Sequence, residues 1–191
     1  MPATQLDFYT PEQYLALEAT ALERSEYIDG EIIPMVGALP NHNLIIGNFY
    51  AALNFALKRK PYYVFVTDQR LWIPSLRIYT YPDIMVVSGD LILQAGRKDT
   101  ITNPMLIVEV LSQSTQSYDQ GKKFKAYRSI PSFQEYVLID QSDMHIEVYS
   151  RQDNGQWLLS EWNGNDAILQ LSKIDFEIAL ADVYDKVNFE E

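Results

Sequence analysis

The chain has 191 residues, 47% of them hydrophobic and 13% aromatic, and carries a formal net charge of -11. This is enough apolar material for one well-packed domain spanning residues 1–191, which excludes a disordered chain, and the acidic balance argues against a generally basic nucleic-acid-binding surface. The absence of cysteine excludes disulfides and thiolate chemistry, and two histidines are too few for a histidine-rich zinc centre, so any metal must be held mostly by oxygen.

In chain order, Thr10-Pro11-Glu12-Gln13 predicts a helix start with a capping box, and Leu15, Ala19 and Leu22 recur at helical spacing behind it. Asp29-Gly30 predicts a tight hairpin turn between Tyr27-Ile28 and Glu31-Ile32-Ile33. A second helix is expected from about His42 to Leu57, with Asn41 as cap and Ile45, Phe49, Ala52, Leu53 and Ala56 as its apolar stripe; Pro61 stops it. Strands are expected at residues 62–66 and 71–73. Residues 88–103 read as a polar connection with a helical turn near Leu91.

Two runs organise the chain. Tyr81-Pro82-Asp83-Ile84-Met85-Val86-Val87 and Pro104-Met105-Leu106-Ile107-Val108-Glu109-Val110-Leu111-Ser112 are apolar, β-branched and opened by proline, as buried strands are. Each holds one carboxylate, which among apolar neighbours requires a proton, a cationic partner or a metal. Strand alternation puts Asp83 on the face of Met85 and Val87, and Glu109 on the face of Ile107 and Leu111. If the two strands are neighbours, the carboxylates meet and suffice, with water, for a hard divalent cation.

Beyond the second run, Ser114-Thr115-Gln116-Ser117 offers caps for a helix to about Ser129, ended by Pro131. On it Lys123, Tyr127 and Ile130 stand at i, i+4 and i+7, so Lys123 lies at the margin of the inward face, whereas Lys122 and Lys125 point to water. Its partner is either Asp119 at i−4 or the more distant carboxylates. Strands follow at residues 134–139, 146–149, 157–162 and 167–169, and the C-terminus reads as a short helix or acidic tail. Ser112 and Ser114 lack a histidine partner and read as caps, and His145 has no evident partner. The class is mixed α/β with a central sheet.

Tyr-Pro-Asp at 81–83, Ile-Val-Glu-Val-Leu-Ser at 107–112, Ser114-Thr115, Asp119, Lys123, Tyr127 and Glu135-Tyr136-Val137-Leu138-Ile139-Asp140 resemble the Uma-two family of endonucleases. Asp29-Gly30-Glu31 and Pro40-Asn41-His42 resemble its N-terminal pattern. The resemblance implies a restriction-endonuclease-like core, a central mixed β-sheet flanked by helices, with a PD-(D/E)xK-type site. It implies Mg2+ or Mn2+ on Asp83, Glu109 and the Val110 carbonyl, with Glu31 as a further acid; His42, near the start of the second helix, is read separately as a residue that could contact substrate or metal, or simply cap or pack. The residue two after Glu109 is Leu111 rather than lysine, and the family places a lysine on the following helix, where Lys123 stands.

The expectation is thus a cytoplasmic, Mg2+-dependent endonuclease acting on DNA, with the basic run Lys58, Arg59 and Lys60 contacting phosphates. The alternative is a non-catalytic interaction or homodimerisation module, consistent with the acidic charge, the aromatic content and Leu111. A glycosidase using Asp83 and Glu109 as acid and base has nothing marking a sugar site.

Overall fold

The computed structural model describes residues 8–35, 37–112 and 115–189. Three sheets are present among them, in the orders β2-β1-β5-β4-β7, β11-β10-β9-β8-β6-β3 and β12-β13. The first consists of β1 (Ser25–Ile28), β2 (Glu31–Pro34), β4 (Arg70–Ile73), β5 (Ile78–Thr80) and β7 (Thr100–Ile101). The six-stranded sheet consists of β3 (Tyr62–Val66), β6 (Ile84–Ser88), β8 (Leu106–Leu111), β9 (Glu135–Asp140), β10 (His145–Arg151) and β11 (Trp157–Asn163). The third is the hairpin β12 (Ile168–Leu171) and β13 (Phe176–Ala179).

The two organising runs become β6 and β8, paired antiparallel with Ile84 opposite Val108 and Met85 opposite Ile107. All six residues of β8 are buried because both faces of the sheet are covered, which is why the run shows little polar alternation. On one face Ile84, Val86, Val108 and Val110 pack with Ile45, Phe49 and Leu53 of α2 (Pro40–Ala56). On the other, Met85, Val87, Ile107 and Leu111 pack with Phe124 and Tyr127.

Those last two residues belong to a helical run between β8 and β9: α3 (Gln116–Tyr118), a π-helical turn (Asp119–Lys123) and α4 (Phe124–Tyr127). This run is the crossover that allows β8 and β9 to pair in parallel, since such strands cannot be joined by a tight turn. The Ser114 cap expected from sequence lies outside the described residues. Thr115 is the N-cap of α3, and its hydroxyl accepts the Ser112 N–H at 3.3 Å.

The N-terminal helix α1 (Pro11–Glu18) has both arms of the capping box, at 3.2 Å and 2.7 Å. Its buried residues are Tyr14 and Glu18, whereas Leu22, placed on the stripe by spacing, lies beyond the helix and is fully exposed. Tyr14 stacks against both Tyr27 and Tyr79, which also contact each other, so an aromatic cluster rather than a leucine face anchors this end. The Asp29-Gly30 hairpin forms as read, with φ of 43° and 108°, values that Gly30 adopts without steric cost.

Three local expectations change. Helix α2 begins at Pro40 with Leu39 at the N-cap, and the Asn41 side chain instead exchanges hydrogen bonds with the Asn188 backbone. Near residue 91 there is no helical turn; Leu93 bridges to Ile101, drawn into pairing by the neighbouring β7. Residues 176–179 form strand β13 ahead of α5 (Leu180–Val183), because Phe176 and Ile178 alternate with exposed Glu177 against β12. No helix among the described residues is long and apolar enough to cross a membrane.

Candidate active site

The junction between the two large sheets builds the site. The chain leaves β5 at Thr80, passes through Tyr81-Pro82-Asp83 and enters β6. Asp83 therefore sits where one sheet hands the chain to the other. The β6–β8 register continues to put Asp83 opposite Glu109, and the β1–β5 register, with Tyr27 opposite Tyr79, continues to put Glu26 opposite Thr80. The helical run lies across this corner and contributes Tyr118, Asp119 and Lys123.

The two acids read from sequence hold each other in place through the backbone. Asp83 Oδ2 accepts the Val110 N–H at 2.8 Å, and Glu109 Oε2 accepts the Asp83 N–H at 3.4 Å. Glu109 Oε1 accepts the Tyr127 hydroxyl at 2.7 Å and lies 3.2 Å from Lys123 Nζ. The same ammonium is 3.1 Å from Asp119 Oδ1 and 3.8 Å from Glu26 Oε1. The local and distant partners considered for Lys123 are thus engaged together, while Lys122 and Lys125 are exposed.

Glu26 is the acid that the sequence reading missed. It is buried, accepts the Tyr118 hydroxyl at 3.1 Å on Oε2 and the Thr80 hydroxyl on Oε1. Its only sequence signal was a glutamate in the short strand leading to Asp29-Gly30, visible as a site residue only once β1 is known to lie beside β5. Glu31, in contrast, is exposed at the turn end of β2 and does not line the cavity. His42, in the first turn of α2, brings Nε2 to 3.4 Å from Asp83 Oδ2, and its Nδ1 is buried without a hydrogen-bond partner among the described residues.

These groups border a cavity of about 420 Å³. Its lining includes the acids Glu26, Asp68, Asp83, Glu109 and Asp119 and the bases Arg24 and Lys123, so carboxylates outnumber the cations facing them. Burial pushes the Glu109 carboxyl up to about 8; Lys123 pulls it down, while the charges of Asp83 and Asp119 push it further up. Asp119 is raised by burial as well, against the pull of Lys123. For Lys123 burial acts against the charge, and Glu109, Glu26 and Asp119 overcome it and hold the ammonium well above the ordinary lysine range.

An excess of oxygen-donor anions facing one another suits a hard divalent cation, which neutralises like charges that would otherwise take up protons. Asp83 and Glu109 have the donor type for it. Lys58, Arg59 and Lys60 stand elsewhere: they precede β3 at the end where Tyr62 pairs with Ser88, five residues and about 17 Å along β6 from Asp83. None of the three lines the cavity, and Lys60 pairs with Asp175 at 3.2 Å.

A mixed sheet with a helical crossover brings an aspartate just ahead of β6 and a glutamate of β8 together beside a lysine, and the comparisons identify the fold as nuclease-like. A crystal structure described as "a putative nuclease belonging to DUF820" from Anabaena variabilis superimposes with a TM-score of 0.73 over 92% of this chain and 97% of that one, at 20% identity. The chain belongs to the Uma2 family, "Putative restriction endonuclease", whose model matches residues 11–181. Two Synechocystis sp. relatives are similar along most of their length. The protein named sll1609 is 42% identical over 163 residues, covering 85% of this chain and 92% of its own. The protein named slr1290 is 33% identical over 185 residues, covering 96% and 95%.

Proposed function

We propose that this protein is a divalent-metal-dependent endonuclease that hydrolyses phosphodiester bonds of DNA, with Mg2+ or Mn2+ held by Asp83, Glu109 and the Val110 carbonyl. The observation that carries this reading is the meeting of Asp83 and Glu109 beside the Lys123 ammonium in a carboxylate-rich cavity of a Uma2-family chain. When bound, the ion supplies charge neutralisation at the scissile phosphate and acidifies a water.

The side chains supply the rest. Asp83 is aimed by the Val110 N–H and Glu109 by Tyr127, so neither must reorganise to meet a ligand. Lys123, with its proton held by three carboxylates, orients the attacking water or offsets the charge that develops on phosphorus. His42 stands on the opposite side of Asp83 and is placed to contact a phosphate oxygen or the leaving group. Glu26 keeps the ammonium directed into the cavity.

A second reading, a binding module that has kept the fold, is favoured by the distance of Lys58, Arg59 and Lys60 from the cavity and by the net charge. Calorimetric titration with manganese and cleavage of plasmid DNA, run on the wild type and Asp83→Asn, separate the two. The nuclease reading expects Asp83→Asn to lose cleavage together with one manganese equivalent per chain. No heat at millimolar manganese and no cleavage would refute it and leave the binding module.

A further inference from the structure

A second group of ligand atoms lies on the β10–β11 hairpin, away from the cavity. His145 pairs with Asn163 on one rung and Glu147 with Glu161 on the next, two residues along, so all four side chains share one face. His145 Nε2 is 3.5 Å from Glu147 Oε1 and 3.7 Å from Glu161 Oε1, and the three groups offer ligand atoms within 4.8 Å of one another. Sequence spacing hid this group, because Glu161 is 16 residues beyond His145 and reaches it only through strand pairing.

We propose that His145, Glu147 and Glu161 form a site for a zinc-class transition-metal ion, distinct from the Asp83–Glu109 centre. Two features beyond proximity support it. His145 Nδ1 lies 2.6 Å from Asn163 Oδ1, which can only accept, so Nδ1 carries the hydrogen and the lone pair of the neutral ring sits on Nε2, facing both carboxylates. Glu147 and Glu161 are directly opposed across an antiparallel pair, an arrangement that repels unless a positive charge lies between them; burial works against a charged His145 imidazole, but together with Asn163 they raise it, and the Nε2 proton they favour is the charge a metal ion would replace.

The surroundings fix the donors. Glu147 accepts from the Tyr149 hydroxyl at 3.0 Å and the Gln120 amide at 3.4 Å, and the His145 backbone N–H and carbonyl both bond the Tyr184 hydroxyl, at 3.2 Å and 2.9 Å. Tetrahedral zinc with ligand bonds of about 2.0 Å places donors about 3.3 Å apart, close to the two distances found here, and water completes the shell. One imidazole among the donors favours zinc-class ions over magnesium.

The site is not the second ion of a two-metal nuclease. Glu109 faces Leu138 and Leu138 faces Glu147, so the two glutamates are separated by two strand spacings, about 10 Å, whereas paired catalytic ions stand about 4 Å apart. An ion here would instead tie the hairpin to the π-helical turn through Gln120, the neighbour of Asp119.

The test is calorimetric titration of zinc chloride into the metal-free full chain near neutral pH, beside Asp83→Asn alone and with His145→Gln, Glu161→Gln or Asn163→Ala added, with melts in chelator to establish folding. With the Asp83→Asn change removing the other centre's aspartate, one zinc per chain is expected in Asp83→Asn, no binding when His145→Gln is added to it, weakened binding when Glu161→Gln is added, and affinity roughly 10- to 100-fold lower when Asn163→Ala is added, which loses only the group that orients the ring. Zinc binding to Asp83→Asn that is unchanged when His145→Gln is added to a folded protein, or that is lost in Asp83→Asn alone, would overturn the assignment. So would no binding at millimolar zinc, which would leave a proton on Nε2 as the occupant. These readouts do not depend on nuclease activity, so failure here leaves the proposed function untouched.

Discussion

Replacing Lys123 by methionine removes one ammonium from among three carboxylates while keeping most of the stem volume. At an effective dielectric of about 20, each contact at 3–4 Å is worth roughly 4–5 kcal/mol before desolvation is subtracted, and desolvation of the buried lysine cancels much of the sum. The measured pattern for breaking a buried pair is a net loss of about 3–5 kcal/mol, because the partners are left charged and unpaired. In a chain of this length that lowers the melting midpoint by roughly 6–20 °C. The loss should depend on pH in a defined direction. Glu109 and Asp119 are already raised by burial, and without Lys123 they rise further, so each binds a proton more readily folded than unfolded. Such groups cost stability as pH increases, so the gap between variant and wild type should be small near pH 5, open as pH passes the wild-type Asp119 carboxyl, and widen further above about 8, where wild-type Glu109 ionises and the variant's does not. If Lys123 also serves the chemistry, single-turnover cleavage should fall on the order of a hundredfold, more than the folded fraction explains. Melts of Lys123→Met, wild type and the exposed control Lys122→Ala across that pH range, with manganese and without, check this. A Lys123→Met protein melting like the Lys122 control across the range from about pH 5 to above about 8 would refute the electrostatic account.

Two further outcomes follow from the same geometry. Tyr127→Phe removes the hydroxyl that donates to Glu109 at 2.7 Å in a fully buried position, so it should cost about 1–3 kcal/mol in denaturant melts, most at high pH where Glu109 is ionised. In metal-free wild type, the raised Glu109 carboxyl should make stability fall as pH climbs from about 4.5 through about 8, and Glu109→Gln should flatten that slope; a slope identical in the two proteins would show that Glu109 does not titrate in this window.

The parts legible in the sequence were those set by local periodicity. Period-two alternation placed Asp83 and Glu109 on the correct faces, and helical spacing separated Lys123 from Lys122, because both rules act within a few residues. What was missed depends on pairing between distant segments. Glu26 enters the site because β1 lies beside β5, 54 residues away at Thr80, and no window around residue 26 contains that fact. His145 looked isolated for the same reason, since Asn163 and Glu161 stand on β11 and only Glu147 is close in sequence. Asn41 read as a helix cap because its type suits one, yet contact with Asn188 claimed its side chain. Strand β13 was legible in principle, since Phe176, Glu177 and Ile178 alternate, but the acidic composition of the C-terminus masked a three-residue signal.

Leu111 shows why the lysine stands on a helix in this chain. It shares the face of Glu109, two residues further along β8, where it is buried in the apolar cluster that includes Phe124 and Tyr127. A lysine there would have to carry its charge through that cluster to reach the carboxylates, whereas one arriving from the overlying helical run enters from the cavity side. The π-helical turn, Asp119–Lys123, suits this entry: both of its end residues deliver side chains to the same corner, one acid and one base 3.1 Å apart. Such turns insert an extra residue into a helix and recur at functional sites, because they re-aim a side chain without moving the packed face. Here that face is anchored by Phe124 stacked on Tyr136 of β9, the strand that follows the crossover. The lysine's position therefore depends on the packing of the crossover helix over the sheet, so substitutions in that aromatic contact should act on the site through Lys123 rather than through the strand carrying Glu109.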